Sequence, residues 1–233
     1  VVILVASVGF LGYILASRLG RKVGLWLSGL LGGIVSSTSV TVAASRLARQ
    51  NPASAPLCLQ AAILAASMMY IRLLVLVALL RREALAVLWW KLALLAAAAL
   101  LLTIHKRPAG PSENIDKGFP LTNPFEIRPA LAFAALFVLL SIISQWVKEY
   151  LGKSGLLTLA GVVGVADVDP FILSLVRNPA GFTALSAMAF LLAMLSNTLF
   201  KGLYIGLAAP SLRRDIAWRY GLLAALHIPL IWL

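Results

Sequence analysis

The stretch that decides the fold is GVVGVADVDPFILSL, residues 161–175, an apolar run that contains two aspartates and a proline. Asp167 and Asp169 are the only acids well inside an apolar stretch of the chain. A carboxylate inside a membrane is energetically expensive and usually has a functional role. This stretch therefore indicates a membrane fold with a polar centre.

The composition of the whole chain agrees with a membrane fold. Of 233 residues, 61% are hydrophobic and 12% are charged, whereas about a quarter of the residues of soluble domains are charged. A water-soluble chain of this size would still need a polar exterior. We therefore predict an all-α integral membrane protein with the lipid bilayer as its surroundings. A soluble domain, a disordered chain, a coiled coil and a disulfide scaffold are excluded.

Eight apolar runs approach the length of about 20 residues that a helix needs to cross a bilayer. A polar, proline-rich linker, residues 105–128, separates two regions with four predicted helices each, residues 1–104 and 129–233. The chain begins inside an apolar run, so we expect it to start partway through a longer protein. The predicted spans are about 1–17, 24–45, 56–80, 84–104, 130–147, 155–176, 182–209 and 216–233.

The net charge of +12 follows from 20 basic and 8 acidic residues. Most of the basic residues lie in short breaks between apolar runs, where such residues set topology and meet anionic head groups. We therefore expect no nucleic-acid partner. Cys58, His105 and His227 are too scattered to form a metal site, and we expect no cofactor.

The second predicted helices of the two halves align without a gap. Residues 24–38 lie against residues 155–169 with a constant offset of 131 residues, which pairs Ser36 with Asp167. The third helices follow with a slip of two residues, which pairs Arg72 with Lys201. We predict two four-helix repeats. Because four helices separate the equivalent segments, we expect the two copies to run in the same direction.

The residues around the two aspartates predict a broken helix. On a continuous helix, positions two apart point in nearly opposite directions. Pro170 disfavours helical geometry at Asp169 and suits the first turn of a new helix. An unwound stretch would let both carboxylates face one side; alternatively, Asp169 caps the new helix. The predicted backbone breaks are Gly32 and Gly33 in the first half, and Gly164 and Pro170 in the second.

The equivalent stretch in the first half is GGIVSSTSVTVAAS, residues 32–45. It supplies five hydroxyls within six residues: Ser36, Ser37, Thr38, Ser39 and Thr41. Small and hydroxyl residues also allow membrane helices to pack closely, which is the alternative interpretation of each one. Their density, and their pairing with the aspartate stretch, favour one polar centre made by both halves.

The third helices contribute further polar residues, namely Ser67, Arg72, Ser196, Asn197, Thr198 and Lys201. Arg72 lies deep in its apolar run, so we expect it to pair with a carboxylate. Lys201 either joins the centre or extends to the membrane surface. Lys91 follows two tryptophans and is predicted to be an anchor at the membrane interface.

Two carboxylates with hydroxyls and an amide are hard oxygen ligands, suited to Mg²⁺, Na⁺ or a proton. We predict that Asp167 and Asp169 bind a cation, as a metal site or a proton site. Arg72 and Lys201 would be counter-ions, or anion ligands together with the half-helix N-termini. The sequence leaves the sign of the ligand open. The predicted neutral ligands are Ser36, Ser37, Thr38, Thr41 and Asn197.

The motifs GGIVSSTSVT, NPFEIRPAL, GVADVD and LSNTLFKG resemble a bacterial membrane domain of unknown function. That domain follows the MgtC/SapB domain in many MgtC/SapB family proteins, and the resemblance covers nearly the whole chain. It implies an inner-membrane location and an MgtC/SapB domain ahead of residue 1, but no substrate. Pro170 departs from the alanine expected there. The residues that match are Gly32, Gly33, Ser36, Ser37, Thr38, Gly164, Asp167, Asp169, Asn197 and Lys201.

These observations together favour a secondary transporter or channel for a small inorganic ion, with its site between the two repeats. The alternative is a regulatory subunit that transports nothing and binds another membrane protein. A homo-oligomer fits either function. An enzyme is not predicted, because both aspartates lie in one segment and no metalloprotease, P-loop or serine-hydrolase motif is present.

Overall fold

The structure, a computed structural model, describes residues 7, 14, 25–104, 127–165 and 167–233. Within these ranges the chain forms eight α-helices, two short 3₁₀ helices and no strand. The all-α prediction is therefore confirmed for the described part. The helices are α1 (Leu25–Gln50), α2 (Ala55–Leu80), α3 (Arg82–Ile104), α4 (Ile127–Tyr150), α5 (Gly152–Val163), α6 (Asp169–Val176), α7 (Ala184–Ala208) and α8 (Arg213–Trp232).

Four segments of the described part are long and apolar enough to cross a membrane: Leu25–Gln50, Pro52–Leu80, Arg82–Thr103 and Ala184–Ala208. They correspond to four of the eight predicted spans. Predicted span 130–147 lies within α4, and span 216–233 lies within α8 except for its last residue. Span 155–176 divides into α5 and α6. Span 1–17 lies outside the described residues, apart from residues 7 and 14.

Small residues allow α1 to approach α2 closely. A Cβ added at Gly29 would lie 2.7 Å from the Cα of Ala61, and Gly33 has the same relation to Ala65. Between membrane helices, van der Waals contact of this kind replaces the hydrophobic effect as the source of association. The two glycines therefore hold α1 against α2 along the half of α1 that precedes its break.

The remaining helices enclose a buried centre. α2 packs against α3 and α7 against α8, while α1 contacts α7, α3 contacts α8, and α4 lies along both α5 and α6. All eight residues of α6 are buried. Tyr70 of α2, Phe171 of α6 and Phe190 of α7 are among the largest side chains with no solvent exposure.

Hydrogen bonds between helices show the direction in which several of them run. Arg81, just after α2, donates to the carbonyl of Asn178, just after α6, at 2.8 Å. α2 and α6 thus end at the same end of the bundle, which we call the Leu80 end. Arg219, early in α8, donates to the carbonyl of Leu102, late in α3, at 3.0 Å.

The opposite end of the bundle, called the Gln50 end, contains the C-terminal ends of α1, α3 and α7. A cavity there is lined by Arg46 and Arg49 of α1 together with Tyr204 and Leu207 of α7. α1 and α7 therefore run towards the same end, and α8 starts from it.

The segments that the sequence alignment pairs run in opposite directions, so the prediction of a common direction was wrong. α2 runs from the Gln50 end to the Leu80 end, whereas α7 runs the other way. α1 runs in the opposite direction to the pair α5–α6, and α3 runs in the opposite direction to α8. The prediction rested on a count of four helices between the equivalent segments.

Candidate functional site

The break in α1 lies at Ser36, whose φ of −159° and ψ of 108° are not helical. Its hydroxyl accepts a hydrogen bond from the backbone N–H of Ser39 at 3.2 Å, as an N-cap serine does. The second part of α1 thus begins as a new helix. Gly32 and Gly33 were predicted to form the break, but both are buried inside the helix, and Gly33 serves the contact with α2.

The second break separates α5 from α6. Gly164 caps the C-terminus of α5, and α6 begins at Asp169 with Pro170 in its first turn, so both residues lie at the predicted break. Asp167 Oδ1 accepts a hydrogen bond from the backbone N–H of Asp169 at 3.2 Å. Asp167, rather than Asp169, therefore satisfies a backbone donor at the start of α6.

Arg72 of α2 connects the two breaks. One guanidinium nitrogen donates to the carbonyl of Val35 at 2.7 Å and to that of Ile34 at 3.4 Å, the last carbonyls before the break in α1. The other nitrogen forms an ion pair with the carboxylate of Asp169. Arg72 and Asp169 are both buried, so the predicted pairing of Arg72 with a carboxylate is confirmed.

Lys201 of α7 reaches the break in α1 from the other half of the chain. Its ammonium donates to the hydroxyl of Ser37 at 2.7 Å and to the sulfur of Met69 at 3.2 Å. Lys201 is buried, so it joins the centre rather than extending to the membrane surface. A buried ammonium whose hydrogen bonds go to neutral groups carries a large desolvation cost.

The neighbouring residues of α7 cap the end of α5. Asn197 donates to the carbonyl of Gly164 at 3.0 Å, and Ser196 donates to that of Gly161 at 2.6 Å. These are carbonyls that a helix C-terminus leaves without an intrahelical donor. We call the two breaks together with Arg72, Lys201 and Asn197 the break centre.

The comparisons with known proteins identify the family. Residues 3–209 match the family described as "Domain of unknown function (DUF4010)". The chain belongs to the DUF4010 family. An uncharacterized protein of Aquifex aeolicus (strain VF5) is 31% identical to this DUF4010 chain over 184 residues, covering 77% of this chain and 80% of the relative. No solved structure matches.

In the DUF4010 chain the predicted ligands Thr38 and Thr41 lie outside this network, as do three other polar residues of the predicted spans. Thr41 donates to the carbonyl of Ser37, and Ser67 to that of Leu64, each within its own helix. Thr38 is half-buried, and the side chain of Ser39 is exposed. Lys91 was predicted to be an interfacial anchor, but it is buried and donates to the carbonyl of Leu230 in α8 at 3.0 Å.

Two contributors to the DUF4010 break centre were missed in the sequence. Met69 contacts Lys201, and the hydroxyl of Tyr70 lies 3.0 Å from that of Thr198, which links α2 to α7. A tyrosine in mid-span is a signal that could have found this link, because a buried phenol needs a hydrogen-bond partner. The methionine gave no such signal.

The two aspartates have different surroundings. Asp167 is exposed and Asp169 is buried. In the described part of the DUF4010 chain, no three or more His, Cys, Asp or Glu side chains cluster as a metal site. Three buried polar atoms of the break centre lack a hydrogen-bond partner there: Asp169 Oδ1, Asn197 Oδ1 and Arg72 Nε. Such atoms normally bind water or a ligand.

Proposed function

We propose that this protein is a secondary transporter for a small inorganic ion, with a cation or proton favoured, in the bacterial cytoplasmic membrane. The observation that carries the proposal is the contact of Arg72 with both broken segments. Non-helical backbone at membrane depth is tolerated only where protein buries it or where it lines a water-filled cavity. In a transport site between two broken helices, the non-helical backbone would alternately be buried by protein and line a water-filled cavity.

We also propose that the two halves are inverted repeats. Ser36 and Asp167, which the sequence alignment pairs, each accept a hydrogen bond from the backbone N–H that starts the next helical segment. The paired segments run in opposite directions. Inverted repeats with discontinuous helices are common in secondary transporters, which alternate access by rocking one repeat against the other.

The unpartnered oxygens support a cation as the ligand. Asp169 Oδ1 and Asn197 Oδ1 are buried acceptors with no hydrogen-bond partner in the described part of the chain. Oxygen ligands of this kind suit hard cations. In this proposal Arg72 balances the Asp169 carboxylate when the site is empty and releases it to the arriving ion, while the exposed Asp167 is the second carboxylate of the site.

The test is ion flux into liposomes that contain the purified protein, with H⁺, Na⁺, K⁺, Mg²⁺, Mn²⁺ and chloride compared. We expect flux of one ion. Asp169→Asn should abolish that flux and Asp167→Asn should reduce it. Glu149→Gln, an exposed carboxylate at the end of α4, is the matched control and should transport normally. If chloride were the only ion transported, the proposal of a cation ligand would be wrong and an anion ligand would be supported.

The second candidate is a regulatory membrane subunit that transports nothing. The observation that favours it is that Arg72 already pairs with Asp169 and with the carbonyls of α1, a network that could be purely structural. The absence of flux for every ion, with Asp169→Asn losing stability instead, would support this role.

A further inference from the structure

Three cavities meet around Leu207, in the last turn of α7 at the Gln50 end. The first is a groove of about 380 Å³ between α7 and α8, lined mainly by small and apolar residues. Leu203 and Leu207 beside it are 55% and 66% exposed, so the groove opens to the outside of the helix bundle. Gly202 and Gly206 from α7, with Ala217 and Gly221 from α8, create the space.

The second and third cavities lie on the other side of Leu207, between α7 and α1. One, of about 210 Å³, is lined by Arg46, Arg49 and Tyr204. The other, of about 380 Å³, shares Arg49 and extends to Ser211. Both arginines are exposed, and Arg213 lies on the rim of the apolar groove. A cationic cavity and an apolar groove therefore adjoin at one helix end.

The cavities lie where lipid head groups are expected if α1 and α7 cross a membrane. α1 and α7 both end here, and each is long and apolar enough to cross a membrane. Trp218 in the second turn of α8 is exposed, as aromatic side chains at a membrane interface are. Guanidinium groups bind phosphate oxygens with two parallel hydrogen bonds, and basic pockets between membrane helices bind anionic head groups.

We propose that this region binds an anionic phospholipid. Its phosphate lies between Arg46 and Arg49, and one acyl chain passes Leu207 into the groove between α7 and α8. The molecule that fits must be anionic at one end and apolar at the other, because the two adjoining cavities differ in that way. This site is independent of the break centre and of the transport proposal.

The test measures retention of phosphatidylglycerol and phosphatidylcholine by the purified protein in detergent, using native mass spectrometry. The double variant Arg46→Gln/Arg49→Gln is compared with Arg82→Gln/Arg177→Gln, which removes two exposed arginines from the Leu80 end. The unchanged protein and the control should retain phosphatidylglycerol over phosphatidylcholine. The first variant should bind phosphatidylglycerol about thirtyfold more weakly, since it removes two arginines and each arginine near a membrane surface contributes on the order of 1 kcal/mol.

A further variant, Gly206→Leu, tests the groove, because a Cβ at Gly206 has room (3.8 Å from Ile216 Cγ2) and a leucine would fill the space. It should also weaken retention while both arginines remain. Equal losses in the two arginine variants would show a charge effect without a site and overturn the proposal. Retention of phosphatidylcholine as strong as that of phosphatidylglycerol would overturn the role of the arginines, and unchanged retention in Gly206→Leu would overturn the role of the groove.

Discussion

Arg72 contacts both broken segments of the break centre. It joins α2 to the last carbonyls before the break in α1 and to the first residue of α6. Both members of the ion pair are buried. A buried charge without its partner is far more costly than a buried pair, so the two residues depend on each other.

Replacing Arg72 with leucine should therefore destabilise the protein strongly. The variant leaves the Asp169 carboxylate and the Val35 carbonyl without their donor, and we expect the free energy of unfolding to fall by about 3 kcal/mol. The measurement is unfolding by SDS titration in micelles, followed by circular dichroism. Arg72→Leu/Asp169→Leu should recover most of the loss.

Arg82→Leu is the control for that experiment, because Arg82 is exposed at the start of α3 and its loss should cost less than about 0.5 kcal/mol. If Arg72→Leu unfolded at the same SDS concentration as Arg82→Leu, the ion pair would have no structural role. A double variant no more stable than Arg72→Leu would contradict the mutual dependence.

At this scale the sequence predicted most of the polar residues but not all of their partners. The depth of Arg72 in an apolar run indicated a carboxylate partner, and Asp169 is that partner. The adjacent tryptophans suggested a membrane anchor for Lys91, which instead binds the Leu230 carbonyl. That contact depends on how α3 packs against α8, and the two tryptophans before Lys91 in the sequence do not indicate this packing.

At the scale of the elements, the two broken segments are stabilised by helices that cross beside them. α2 supplies Arg72 to the break in α1, and α7 supplies Asn197 to the end of α5. Prolines and glycines predicted the second break correctly at Gly164 and Pro170. They placed the first one wrongly at Gly32 and Gly33, since a glycine for close packing and a glycine for a break look alike in a sequence.

Two glycines of the same segment should respond in opposite ways to alanine. A Cβ at Gly164 would collide with the Ala193 carbonyl oxygen and lie 2.6 Å from Ser196 Cβ, whereas a Cβ at Gly161 meets nothing within 4 Å. Gly164→Ala should therefore lower the free energy of unfolding by about 1–3 kcal/mol. Gly161→Ala should leave it unchanged or raise it by up to about 1 kcal/mol, as alanine favours helix.

The same SDS titration measures both alanine variants. Flux of the transported ion in liposomes gives a second readout, because Gly164→Ala should also disturb the break centre through Ser196 and Asn197. Equal stability of the two variants would show that α5 does not approach α7 as closely as described.

At the scale of the whole molecule, the direction of the helices decides how the two halves relate. The sequence predicted helices and polar positions from local patterns, but direction had to be inferred from a count of crossings. An error of one crossing in that count changes the direction of every later helix. The contact of Arg81 with Asn178 joins residues 97 positions apart in the chain, and no local pattern contains such information.

Side-specific labelling should confirm the opposed directions. The experiment uses a Cys58→Ser background. Gln50→Cys places an exposed thiol at the end of α1, and Ala180→Cys places one just after α6, which the alignment pairs with α1. A membrane-impermeant maleimide should label them from opposite sides of the membrane, with Arg82→Cys on the side of Ala180→Cys. Labelling of Gln50→Cys and Ala180→Cys from the same side would mean that the halves run in one direction.

The division of the predicted span 155–176 into α5 and α6 also constrains how the chain can enter a membrane during its synthesis. The two helices have 12 and 8 residues, so neither has the length of about 20 apolar residues at which a nascent segment leaves the translocon for lipid by itself. Their broken ends become tolerable only once other helices cover them. The caps on α5 come from Ser196 and Asn197. We therefore expect α5 and α6 to enter the bilayer only after α7 has been synthesised, and together with α7.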